Sequence, residues 1–169
     1  MPRKRYESPW FTAGLFAIIF LGLIVTGVDP FGLAASNGGT INAGSLSATD
    51  LVFFGIGLAM IVAGFAIRLV AISTLKKNFS GALRIREGHT LVTYGIYKYV
   101  RHPAYLGAIV LFAGIPVMFS SFLGLLVMLL LIPYLVHRIK LEEGMMIERF
   151  GKEYQDYMLT SKRLIPFVY

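Results

Sequence analysis

The chain has 169 residues, 56% of them hydrophobic and only 15% charged, with a mean hydropathy of +0.70 and a formal charge of +7. A soluble domain of this size carries about 25% charged residues, so this much apolar surface belongs against lipid. The composition excludes an ordinary soluble enzyme, a disordered tail and a nucleic-acid-binding domain, and it reads as an all-α integral membrane protein. The lack of cysteine excludes disulfides, thiolate metal sites and a cysteine nucleophile.

Arg3, Lys4 and Arg5 precede the first uncharged run, Trp10–Val28, which approaches the roughly 20 residues that cross a bilayer core. It is longer than the apolar core of about 7–15 residues in a signal peptide. The small-residue stretch Leu33-Ala34-Ala35-Ser36 is therefore not read as a cleavage site. The loop from Asp29 to Asp50 holds no Lys or Arg, and the second run, Leu51–Leu75, has Arg68 as its only charge. Next comes a basic loop, Lys76–Pro103. Within it, residues 82–85 and Thr90–Thr93 flank Glu87-Gly88 and predict a short β-hairpin. The third and fourth runs, 104–119 and 122–138, are short. Ser120-Ser121 between them predicts a tight helical hairpin, tilted or not fully spanning. From His137 to about Met158 the pattern predicts a helix that leaves the membrane, dented at Gly151.

Fifteen of the 16 Lys and Arg residues fall on one side of this four-helix plan. The positive-inside rule puts both ends and the middle loop in the cytoplasm, as a multi-pass protein of the cell membrane. Residues 1–169 form one membrane domain with its polar mass at one face. Gly55-x-Gly57 and Gly114 would permit close helix packing.

Two polar segments concentrate the chemistry. In the first, Arg101-His102-Pro103 opens the third helix, where the missing N–H of a first-turn proline costs nothing. A helix start of this kind favours an anionic group, and Gly107 allows a ligand or another helix to come close. The plain alternative is a basic membrane flank with a helix-starting proline. The second segment holds Arg138, Lys140, Glu142 and Glu143. Adjacent carboxylates on a helix point about 100° apart, so one turns inward while the other pairs with Arg138; the plain alternative is a solvated ion pair worth a few tenths of a kcal/mol. Arg68 is either functional, as membrane arginines are by default, or snorkels to the interface. His89 reads as a structural hydrogen-bonding residue and His137 as an interfacial one, and no His, Asp and Glu spacing suggests a metal site.

Taken together, these segments resemble the isoprenylcysteine carboxyl methyltransferase family, which is grouped with the membrane phospholipid N-methyltransferases. The resemblance is to a short member of prokaryotic type. It rests on His89-Thr90-Leu91-Val92-Thr93, Gly95, Tyr97, Arg101-His102-Pro103, Tyr105 and Gly107. It rests equally on Glu142-Glu143, Phe150-Gly151, Glu153-Tyr154, Tyr157 and Arg163-Leu164-Ile165-Pro166. It covers residues 76–166, while the first two helices match only in type.

The resemblance implies that the hairpin and tail enclose S-adenosylmethionine at the cytoplasmic face. Leu91, Tyr97, His102, Pro103, Tyr105, Gly107, Glu142 and Glu143 would bind the cofactor, with Leu91 and Tyr97 near the adenine and Glu142 or Glu143 on polar groups. Arg101, Arg163 and Arg68 would serve the reaction, Arg101 or Arg68 steering an acidic acceptor and Arg163 helping Tyr154 to close the pocket. Tyr94, Tyr97, Tyr99 and Tyr105 are candidates for facing the cationic sulfur. Such chemistry asks for alignment and a dry pocket rather than a nucleophile. The acceptor is lipophilic: an isoprenoid-like carboxylate, a lipid amine or a small thiol. An NADPH-dependent sterol-type reductase and a non-catalytic transporter or assembly subunit are the competing readings.

Overall fold

The computed structural model describes residues 9–28, 48–76 and 90–164. They form α1 (Pro9–Val28), α2 (Ala48–Leu75), a 3-10 turn (Gly95–Lys98), α3 (Pro103–Met118), α4 (Phe122–Leu129), α5 (Leu131–Phe150) and α6 (Lys152–Thr160). No strand occurs among the described residues. Most of the predicted hairpin, with His89, lies outside them; its second arm, Thr90–Thr93, is described and is not a strand.

α3 is the centre of the bundle, with α2 on one flank and α1 and α4 on the other. The α2–α3 seam is antiparallel and lined with glycine. A Cβ on Gly57 would come 2.3 Å from the Met118 nitrogen, and one on Gly64 would come 2.5 Å from the Leu111 nitrogen. From the other side, Gly107 meets the Gly64 carbonyl and Gly114 the Gly57 carbonyl. Each pair is two helical turns apart, so it lines one stripe, and backbones meet where side chains would hold them apart. Gly55 faces open space and takes no part in the seam.

On the other flank, Met128, Leu131 and Leu135 pack with Leu15, Ile18 and Ile19 of α1 and with Tyr105, Ile109 and Phe112 of α3. The outward faces are apolar: Phe16, Phe20 and Ile24 on α1, and Phe54, Val62, Phe65 and Leu69 on α2, are all exposed. A surface of this kind is stable in hydrocarbon and unstable in water.

α4 and α5 are nearly one rod. Pro133, in the first turn of α5, has no N–H to donate, and the helical hydrogen bonding lapses at Leu130, whose backbone stays helical. The fourth span and the predicted cytoplasmic helix are thus joined, and α5 runs on to Phe150. There Gly151 adopts φ 56°, a left-handed conformation open to glycine, and α6 folds back toward the bundle.

The depth of the polar end follows from α2. Its only charges, Asp50 and Arg68, are separated by about 27 Å of helix, close to the roughly 30 Å hydrocarbon core. A hydrocarbon layer lying between these two charges would have Arg68 at its polar edge. α3 begins at that level, because Arg68 Nη1 donates to the Ala104 carbonyl at 3.1 Å. The last two turns of α2 rise about 10 Å above it. The chain from Tyr94 descends this wall: Gly95 lies against Thr74, and the Tyr97 hydroxyl donates to the Ala71 carbonyl at 3.4 Å. The result is a polar mouth at the level of Arg68, where α3 begins.

Candidate active site

The mouth is organised around Glu143, buried on the inner face of α5. Its Oε1 accepts from Arg101 Nε at 3.0 Å, and its Oε2 accepts from Arg163 Nε at 3.0 Å and Nη2 at 2.7 Å. One carboxylate thus holds two guanidiniums from segments far apart in sequence. Arg101 Nη1 also donates to the carbonyls of Met158, at 3.1 Å, and Ser161. The backbone reinforces the clasp. Arg101 N donates to the Lys162 carbonyl at 2.7 Å, His102 N to the Arg163 carbonyl at 3.1 Å, and Lys162 N to the Tyr99 carbonyl at 3.0 Å. Val100 and Lys162 form a parallel β-bridge.

α6 adds a second layer. Tyr154 and Tyr157 are buried on its inner face, and the Tyr157 hydroxyl donates to the Tyr97 carbonyl at 2.6 Å. Burial pushes the Tyr157 phenol up to about 12 and raises that of Tyr154 further, so both remain donors at neutral pH.

Glu142 points elsewhere. It accepts from the Tyr105 hydroxyl at 2.8 Å, and Arg138 Nε donates to that same hydroxyl at 2.9 Å. Arg138 and Glu142, four residues apart on α5, thus share the hydroxyl of a tyrosine of α3, whose ring also packs in the apolar core.

His102 is buried, and its Nε2 lies 3.4 Å from Glu143 Oε1 without the alignment of a hydrogen bond. A buried ring nitrogen without an aligned partner is costly and fits a site completed by a ligand.

Glu143 follows the apolar run 122–138 and stands in the charged half of α5. Burial would raise its carboxyl, but the His102 ring and the Arg163 and Arg101 guanidiniums outweigh burial and lower it from 4.5 to about 2. A depressed folded-state value stabilises the fold above the unfolded value and is lost as pH falls through the folded one. The clasp is therefore expected to hold at pH 5 and to open between about pH 4.5 and about pH 2. Hydrogen exchange at the Arg101 and His102 amides against pH checks this; opening near pH 6 would show that Glu143 is not held by these partners.

The other candidates are distributed around this centre. Arg101 and Arg163 are engaged by Glu143 and the tail, so they hold the mouth together. Gly107 is occupied by α2, whose Gly64 carbonyl would lie 2.7 Å from an added Cβ. Pro103 is fully buried, and the Tyr105 and Leu106 amides close on the His102 carbonyl. Tyr97 packs with Ala71 and Val92 as the wall of the recess, and Leu91 beside Val92 is half-buried. Tyr94 and Tyr99 are on the surface; the cation near the Tyr99 ring is Lys98 Nζ, 5.9 Å from its centroid. Arg68 touches the mouth only through the Ala104 carbonyl among the described residues, and His137 is on the exposed face of α5. Sequence reasoning did not find Ser161 or the Met158 carbonyl, because a backbone acceptor leaves no mark in residue type.

The model of the isoprenylcysteine carboxyl methyltransferase (ICMT) family matches residues 57–148. A relative in Oryza sativa subsp. indica, named "Probable protein-S-isoprenylcysteine O-methyltransferase", is 32% identical over 116 residues, which cover 67% of this chain and 61% of that one. The protein-S-isoprenylcysteine O-methyltransferase of Rattus norvegicus is 34% identical over 115 residues, 66% of this chain and 40% of its own. The chain thus matches about three fifths of the plant relative's length. Among solved structures, the eukaryotic intramembrane Ras methyltransferase ICMT superposes with a TM-score of 0.68 at 27% identity, over 96% of this chain and 54% of that one.

Proposed function

The chain belongs to the isoprenylcysteine carboxyl methyltransferase family, and from that premise we propose that it methylates the carboxylate of a lipid-modified acceptor, with S-adenosylmethionine as donor. The observation that carries this reading is the Glu143 clasp. It gathers Arg101, His102 and Arg163 into one polar recess at the hydrocarbon boundary, where a polar cofactor and a greasy acceptor can meet. The proposed orientation puts this mouth and both chain ends on the cytoplasmic side of a multi-pass cell-membrane protein, as the basic residues suggest.

The residues of the mouth fit the cofactor. Two guanidiniums around one carboxylate leave a local positive surplus suited to a carboxylate group. Glu142, half-buried, suits an ammonium or a ribose hydroxyl, and His102 Nε2 has unmet hydrogen-bonding capacity. Tyr97, Tyr105, Tyr154 and Tyr157 supply aromatic walls. When bound, S-adenosylmethionine supplies an already activated methyl group. The protein's share is then to align the acceptor and exclude water, effects that supply several kcal/mol. A carboxylate acceptor is ionised at pH 7 and needs no base. Arg68, at the hydrocarbon boundary and outside the Glu143 clasp, is placed to steer it.

The test is transfer of a radiolabelled methyl from S-adenosylmethionine to a farnesylated cysteine in detergent or vesicles. The reading expects an alkali-labile methyl ester, and it expects no product when the acceptor carboxyl is blocked. Label appearing only in alkali-stable lipid amines would overturn the carboxylate assignment. Arg68→Leu is expected to leave S-adenosylhomocysteine affinity within about twofold while raising the acceptor KM at least tenfold, about 1.4 kcal/mol. A large loss of cofactor affinity in this variant would move Arg68 into the cofactor site.

A further inference from the structure

Lys98, Tyr99 and Lys162 are neighbours on the rim of the mouth, and the clasp uses only the backbone of Tyr99 and Lys162. The Lys98 ammonium lies 5.9 Å from the centre of the Tyr99 ring. Lys162 N donates to the Tyr99 carbonyl, and Lys162 bridges Val100. Tyr94 and Tyr99 remain 59% and 58% exposed, and Leu159, one turn before Lys162, is 86% exposed.

Depth gives these residues a meaning. The segment that carries Tyr94, Lys98 and Tyr99 is bound to α2 at Thr74 and Ala71, above Arg68 and therefore above the hydrocarbon boundary. This is the headgroup layer, where tyrosine rings are enriched and lysines meet phosphates. The exposed apolar face of α2, with Leu69 and Val70, leads up to this rim, so the lipid-facing surface continues into it. The exposed acids of α6, Glu153 and Asp156, precede Lys162 by nine and six residues.

We propose that this rim is a binding site for the headgroup of an anionic phospholipid, with Lys98 and Lys162 on the phosphate and the Tyr94 and Tyr99 rings beside it, just above the acyl chains. Lys162 belongs to the tail that pairs with Val100–His102, so a lipid bound there also holds the tail on the mouth. The proposal concerns recognition of lipid and stands whatever reaction the mouth performs.

The chain has one tryptophan, Trp10, which makes a fluorescence test direct. The Trp10→Phe/Tyr99→Trp protein is placed in phosphatidylcholine vesicles in which a growing fraction is phosphatidylglycerol brominated near the top of its chains. Brominated phosphatidylcholine is run in parallel. The expected result is quenching at a lower mole fraction of the anionic lipid than of the neutral one. Lys98→Gln and Lys162→Gln should each raise the half-quenching fraction about fivefold. Equal quenching by the two lipids would overturn the headgroup site, and no quenching by either would place the rim in water or against a protein partner. If the Tyr99→Trp protein lacks the helical circular dichroism of the parent, a reporter at the exposed Leu159→Trp reads the same contrast.

Discussion

Replacing Glu143 by alanine is expected to destabilise the protein by roughly 3–5 kcal/mol and to abolish cofactor binding. The change leaves the Arg101 and Arg163 guanidiniums, 8% and 22% exposed, without their shared carboxylate, and removing one partner of a buried ion pair has a cost of this size. Glu142→Ala should behave otherwise. Glu142 is half-buried and accepts from a neutral hydroxyl, so its loss is expected to lower the melting temperature by only a few degrees while weakening cofactor binding. Circular-dichroism melting of the two variants in one detergent decides the matter. Equal stability would mean that the two carboxylates are interchangeable and that Glu143 is not the centre of the mouth. A further variant separates stability from binding. Changing Arg101, Glu143 and Arg163 together to apolar residues of similar volume should restore much of the stability without restoring the cofactor.

The second large effect is expected in the α2–α3 seam. A leucine at Gly57 or Gly64 would drive side-chain atoms into backbone 2.3 to 2.5 Å from the first added carbon. Backbone cannot rotate out of the way, so the helices must part, at roughly 3 kcal/mol or more. Parting them also displaces the start of α3, which carries Arg101-His102-Pro103 into the mouth, and cofactor binding should fall with stability. Gly55→Leu is the control: the site is open, and a change of less than about 0.5 kcal/mol is expected. A Gly64→Leu protein that melts with the parent would show that α2 and α3 do not meet along this stripe.

The helical membrane architecture was legible because it follows from composition. Long runs without charge have few alternatives, and the one-sided placement of Lys and Arg separates lipid-facing from polar segments. The recess was not legible. It depends on where α3 starts beside α2, and that register is decided by Gly64 against Gly107 and by Arg68 against Ala104, contacts between residues some forty positions apart. Residue types brought Arg101, His102, Glu142, Glu143 and Arg163 under suspicion without assigning their contacts. Two neighbouring glutamates look alike until the tail is folded back by Gly151. Packing of α5 against α3 then gives Glu142 to Tyr105, and the returning tail adds Arg163 to Glu143. The same closure brings Arg101 and Arg163 onto Glu143, a contact that residue types do not assign, while Tyr94 and Tyr99 are exposed. The predicted β-hairpin rested on local alternation alone, and in Thr90–Thr93 packing of Val92 against Ala71 and Tyr97 prevails over it.

The measurement that bears most directly on the central claim is calorimetric titration of the detergent-purified protein with S-adenosylhomocysteine, with NADPH in parallel. The predicted result is micromolar binding of S-adenosylhomocysteine and none of NADPH, with binding weakened in His102→Ala and Glu142→Ala proteins that keep their helical content. Binding of NADPH alone, or of neither ligand by a folded protein, would contradict a methyltransferase site at this mouth.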